Sequence, residues 1–92
     1  SKDYNMPYRL FDYTSRIWGS YIQEKKDEAK NKVFKYPQII PIVLYTGKGN
    51  WTVERDIKEK IRYAKGLEEY VPSFKYLVIE LSQIEKEWLL KV

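Results

Sequence analysis

Gln38-Ile39-Ile40-Pro41-Ile42-Val43-Leu44-Tyr45 is the stretch whose reading decides the fold. It is short, rich in β-branched residues and apolar at nearly every position, the pattern of a strand covered on both faces in a parallel sheet. Pro41 has no N–H to give to a ladder, so it marks an edge or bulged position within that strand. Thr46-Gly47-Lys48-Gly49-Asn50 follows as a turn or loop at the strand's C-terminal end.

Downstream, Val53, Ile57, Ile61, Ala64 and Leu67 recur on one helical face, with Glu54, Lys58 and Arg62 on another, so a helix is expected after Trp51. Gly66 ends it or weakens its last turn. Val71-Pro72-Ser73 breaks the chain, and Phe74 to Leu81 reads as a second strand. Strand, helix and strand in this order predict a right-handed βαβ crossover. Ser82 and Glu85 form an S-x-x-E capping box that would open a further helix carrying Ile84, Trp88 and Leu89.

Upstream, Met6, Leu10, Tyr13, Ile17 and Tyr21 keep to one face of a helix expected to run to about Lys26 or Glu28. Phe11, Trp18 and Ile22 widen the stripe, which predicts burial on more than one side. Asn5 can cap this helix, Pro7 fits its first turn, and Asp12 and Arg16 are spaced to pair. Gly19 in the middle is unfavourable by about 1 kcal/mol relative to Ala, for which close packing against another backbone would be a reason. The fold class expected is therefore α/β, in the order helix, strand, helix, strand, helix, with a small mixed or parallel sheet.

The 92 residues allow one domain, and 43% hydrophobic content with 16% aromatic residues is ample for a core. No apolar run approaches the roughly 20 residues of a membrane-spanning helix, so no membrane is expected among the partners. Cysteine and histidine are both absent, which removes disulfides, the usual zinc sites and His-dependent nucleophiles. The net charge of +4 is uneven: residues 1–50 carry nine Lys/Arg against five Asp/Glu, while residues 51–92 carry eight of each. Much of the excess lies in Lys25, Lys26, Lys30, Lys32 and Lys35. These are the candidate nucleic-acid-binding residues, and a solvated helix end followed by a loop would look the same.

Without His or Cys, a catalytic site would need clustered carboxylates and a divalent cation. Asp56 with Glu59, and Glu68 with Glu69, read as solvated surface of a lysine-rich helix. Glu80 is the one carboxylate on an element expected to be buried, although near the strand end it reads as facing solvent. The Thr46–Asn50 loop lacks the spacing of a phosphate-binding loop. Arg9 and Tyr13, four apart at the border of the apolar stripe, stand out. An Arg there either reaches solvent along a packed stem or meets an anionic partner, with Tyr13 bonding alongside.

Several of these stretches, taken together, resemble one bacterial family. They are Asp3 to Tyr13, Ile17-Trp18, Pro37 to Gly47, Trp51-Thr52 and Val71 to Leu81. The likeness is to the recombination-promoting nuclease / putative transposase family of the PD-(D/E)XK nuclease superfamily. It spans nearly the whole chain, and Pro-x-Ile-x-Pro-Ile-Val-Leu-Tyr-x-Gly is its most specific segment. The resemblance implies a partial restriction-endonuclease-like core and a cytoplasmic protein whose parent hydrolyses DNA phosphodiesters with Mg²⁺. In that family the acidic ligands precede the first helix, and Ser1-Lys2-Asp3 resembles the stretch just after them. Arg9 and Tyr13 then match a Q-x-x-x-Y-like position beside the metal site, with Arg in place of Gln.

On this reading, residues 1–92 are the C-terminal part of a single domain, with no catalytic residue, metal ligand or cofactor of their own beyond a supporting Arg9 and Tyr13. The apolar Leu89, Leu90 and Val92, and a two-sided helix opening close to Ser1, point the same way. Bare strand edges would favour self-association. A non-catalytic DNA-binding or protein-interaction module with a degenerate nuclease core is the alternative, and an unrelated small α/β domain is a third.

Overall fold

The computed structural model describes residues 2–91, so Ser1 and Val92, used above in reading the two ends, lie outside the described residues. The chain runs α1 (Met6–Glu24), β1 (Ile42–Tyr45), β2 (Leu77–Glu80) and α2 (Leu81–Lys91), with 3-10 turns at Glu28–Lys30, Ile57–Lys60 and Glu68–Tyr70. β1 and β2 pair in parallel, Ile42 opposite Leu77 and Tyr45 opposite Glu80. The class is α/β with a small parallel sheet, as the two apolar runs predicted.

α1 begins with Pro7 in its first turn, where a missing N–H costs nothing. Asn5 occupies the N-cap position but its side chain makes no capping bond; instead Asp3 Oδ1 accepts from the Asn5 N–H at 2.9 Å. Asp12 and Arg16 pair at 3.2 Å as their spacing predicted. The apolar stripe divides. Met6 and Leu10 pack on the core, whereas Tyr13 and Ile17 are exposed. A Cβ on Gly19 would meet nothing within 4 Å, so the close backbone packing expected there is absent among the described residues.

β1 starts one residue after Pro41, whose carbonyl accepts from Leu77 N at 2.9 Å while its ring nitrogen has no ladder duty. That placement removes the objection the proline raised. Cover on both faces, by contrast, is not what the sheet has. Val43, Tyr45 and Val78 face the core of Trp51, Val53 and Tyr76, but Ile42, Leu44 and Leu77 on the other face are each more than half exposed.

The largest departure is the segment after Trp51. No α-helix forms there; the chain is irregular, with short 3-10 turns at Ile57–Lys60 and Glu68–Tyr70 and a turn at Gly66. Asp56 explains it. With φ −141° and ψ 131°, Asp56 is extended, and its carboxylate takes the Lys58 N–H that a helix would have sent to a backbone carbonyl. Ile57 N then donates to Phe74 O, and Tyr76 N to Arg55 O, tying the segment to the approach of β2. Thr52, Val53, Ile57 and Ile61 are β-branched and resist helix through lost χ1 freedom. Gly66 takes φ +89° in a turn, not at a helix end. The β-to-β connection is therefore a tied loop instead of a helical crossover.

α2 leaves β2 without a break, so Ser82 lies inside its first turn and not at an N-cap, and the capping box does not open the helix. Ile84, Trp88 and Leu89 line an exposed face. The Cα radius of gyration is 17.6 Å, against about 12 Å for a compact domain of this length. Among the described residues no helix is long and apolar enough to cross a membrane.

Candidate nucleic-acid interface

The scaffold under any site is a polar hub buried between the loop and the sheet. Trp51 Nε1 donates to Tyr76 Oη at 3.0 Å, and Tyr76 Oη donates onward to the Glu54 carbonyl at 2.6 Å. Burial pushes the Tyr76 phenol above its ordinary pKa. Asp56 Oδ1 accepts from Phe74 N at 2.8 Å and Lys58 N at 3.0 Å, while Oδ2 accepts from the Ser73 hydroxyl at 2.5 Å. Burial alone would raise the Asp56 pKa, but those three bonds and the nearby Lys75 charge outweigh it and leave the group below its ordinary value. Glu80 is positioned the same way, accepting from Trp51 N at 2.9 Å and pairing with Arg55 at 3.4 Å. It is not the freely solvated strand-end carboxylate expected of it.

These commitments decide what the acidic groups can do. Among the described residues no three Asp or Glu side chains gather into a cation-holding cluster. Asp56, Glu80 and Asp3 each spend their oxygens on N–H or O–H donors within the fold. Asp3, Asp56 and Glu80 are therefore committed to holding the fold together.

Arg9 pairs through Nε with Asp3 at 2.8 Å, and its side chain is otherwise largely in solvent. Asp3 also borders a small cleft of about 260 Å³ at the C-terminal end of β1, with Thr46 and Trp51. Gly47 in that loop lies against the Tyr45 ring, which a Cβ there would displace; the Tyr45 hydroxyl donates to Lys48 O at 3.3 Å. Tyr13, one turn beyond Arg9, is exposed, and no hydrogen bond joins the two among the described residues. It borders a different feature.

That feature is a groove of about 490 Å³ along the C-terminal half of α1, with Tyr13, Ile17 and Tyr21 on one side and Pro37 across from them. Three ring contacts lie beside it and tie residues 34–36 to α1. Tyr21 stacks on Phe34 (centroids 5.6 Å, 23°), Phe34 meets Tyr36 edge-on at 6.0 Å, and Tyr36 meets Trp18 at 5.9 Å. Trp18 Nε1 donates to Pro37 O at 2.8 Å and fixes the far wall. The basic segment is thereby held against α1. Lys25, Lys26, Lys30, Lys32 and Lys35 are all exposed, and none pairs with a carboxylate among the described residues. The exposure of the lysines matches the sequence reading, which did not anticipate the aromatic ladder. The spacing of Phe34 and Tyr36, alternate residues of an extended segment, was its available signal.

A family profile described as "Putative transposase, YhgA-like" matches residues 1–91. The chain belongs to that family. No curated relative and no solved structure matches it. Transposase-like function is the general reading that membership supports, with DNA as the partner it suggests. In this family member the exposed lysines and the aromatic groove share one end of α1, whereas the carboxylates hold the loop to the sheet at the other.

Proposed function

We propose that this chain is the DNA-contacting portion of a PD-(D/E)XK-type transposase-family nuclease, acting in the bacterial cytoplasm, with phosphodiester hydrolysis performed by the intact parent. The observation that carries the reading is five unpaired, exposed lysines on one short segment of a chain in a transposase family. Lysines free of carboxylate partners keep their charge available for phosphates. Mg²⁺ would be held by acidic residues outside this chain, a reading supported by the engagement of Asp3, Asp56 and Glu80 within the fold. Arg9 and Tyr13 would be supporting residues near the DNA. The bare sheet face of Ile42, Leu44 and Leu77 supports further polypeptide completing the domain.

Duplex binding measured at about 50 and about 200 mM salt tests the interface. Neutralising around four phosphates predicts roughly 100-fold weaker binding at the higher salt. Salt-independent binding, or none, would overturn it. A second reading, a non-catalytic DNA-binding module with a degenerate nuclease core, is favoured by the same engagement of the carboxylates in structure. Plasmid nicking with Mg²⁺ by the intact parent separates the two, since only the nuclease reading predicts cleavage. Cleavage by these 92 residues alone would contradict both.

A further inference from the structure

We infer that the groove along the C-terminal half of α1 takes one unpaired nucleobase of a single-stranded DNA segment, while the neighbouring lysines hold its phosphates. This rests on the DNA-contacting reading and adds the strand state and the kind of base.

The groove's volume of about 490 Å³ falls within the range of roughly 300–1,000 Å³ typical of small-molecule sites, so a single base with part of its sugar fits. Its lining suits a flat π-system. Tyr13 presents an exposed ring, Ile17 gives an apolar floor, and Tyr21 is held in place by its stack on Phe34. A paired base keeps its faces inside the duplex stack. Duplex DNA would therefore touch the lysines through phosphate and leave this floor unused.

Glu24 settles which part of a nucleotide enters. A carboxylate on the groove wall repels a phosphate, but accepts a hydrogen bond from an exocyclic amine such as cytosine N4. Arg16, also on the wall, makes only an exposed surface pair with Asp12, so its guanidinium can join the lysines in contacting phosphate. Lys25 follows Glu24 directly and Lys35 lies two residues before Pro37, so two exposed lysines adjoin groove-lining residues in the sequence. Apolar and aromatic groove, one amine-accepting carboxylate and adjoining lysines together match an unpaired, amine-bearing base.

Fluorescence anisotropy with labelled oligo-dC, oligo-dT and a mixed-sequence duplex, at neutral pH and low salt, tests the inference. Oligo-dC should bind more tightly than either of the others. Tyr13→Ala should weaken it by about tenfold, in line with loss of one stacking platform, while Tyr13→Phe should leave it unchanged. Tyr13 is exposed, so neither change threatens the fold, and circular dichroism confirms that directly. Glu24→Ala should bring oligo-dC down to the affinity of oligo-dT. If the duplex binds as well as oligo-dC and Tyr13→Ala has no effect, the groove inference fails and the DNA-contacting reading survives. If no oligonucleotide binds at all, both fall.

Discussion

Replacing Asp56 with Ala tests the part of the structure that departs furthest from what the sequence suggested. The carboxylate accepts from Lys58 N, Phe74 N and Ser73 Oγ while nearly buried, with 8% of its surface exposed. Hydrogen bonds to a charged group contribute about 1.5–3 kcal/mol each, but bonds sharing one acceptor are not additive. Truncation also leaves two backbone N–H groups without partners in a site that water reaches poorly. The expected loss is about 3–4 kcal/mol, a large share of the roughly 5–15 kcal/mol that stabilises an ordinary domain. In urea unfolding followed by tryptophan fluorescence, where Trp51 sits beside the hub, a slope near 1 kcal/mol/M turns this into a midpoint shift of about 3 M. Asp56→Asn keeps one acceptor oxygen and should lose about half as much. Ser73→Ala removes one bond and should lose least. A change under about 0.5 kcal/mol for Asp56→Ala would refute the argument that this side chain holds the loop in place of a helix.

The same carboxylate fixes an acid dependence: its folded pKa lies below the ordinary 3.8, so its stabilisation is complete above about that pH and is lost as pH falls through the lowered value. The stability difference between the native chain and Asp56→Asn should therefore shrink below pH 3.8, and a difference that grew on acidification would reverse the sign. Gly19→Ala, in an exposed mid-helix position with open space around it, should stabilise by about 1 kcal/mol and raise Tm by about 4–8 °C. A lower Tm would mean that a partner backbone occupies that space. Among the described residues each strand has one unpaired edge and the two share an exposed apolar face, so for these 92 residues without further polypeptide a second copy is the expected occupant in solution. Leu44→Lys with Ile79→Lys should lower the mass seen by light scattering, and a native chain that is monomeric throughout would contradict this.

What the sequence made legible was whatever local pattern dictates. The β-branched runs at 42–45 and 77–80 became paired strands, and the four-residue spacing from Met6 gave α1. The same spacing at Val53, Ile57 and Ile61 misled, because Val53 is buried from an irregular segment and Ile57 from a single 3-10 turn, neither of them in an α-helix. Periodicity records which residues avoid water but not the backbone that hides them. The deciding partners of Asp56 lie 17 and 18 residues away, at Ser73 and Phe74, and a local reading has no access to them. Two-sided burial of β1 failed for a related reason: composition marks a strand fit for cover without supplying the cover. In the candidate site, the exposed charge of the lysine segment was legible because lysines reach solvent without needing a partner. The ladder of Trp18, Tyr21, Phe34 and Tyr36 exists only once residues 31–37 fold back on α1.

α1 joins two networks that share no side chain. Its first half is anchored in the core through Met6 and Leu10, and through Phe11, whose ring meets Phe74 edge-on at 5.3 Å. Its second half carries the aromatic ladder and the Trp18–Pro37 bond that hold the basic segment. Energetic effects at sites without common partners add, so changes in the ladder and in the Asp56 hub should combine independently. The consequence for function is an asymmetry. Loss of the hub removes the surface on which everything else rests, whereas loss of the ladder frees a lysine-bearing loop while the Trp51–Tyr76 core persists. The charge would remain in either case, but only an intact ladder gives it a fixed position beside the groove. Selectivity for a nucleic-acid conformation therefore depends on the ladder, and nonspecific attraction depends only on the lysines.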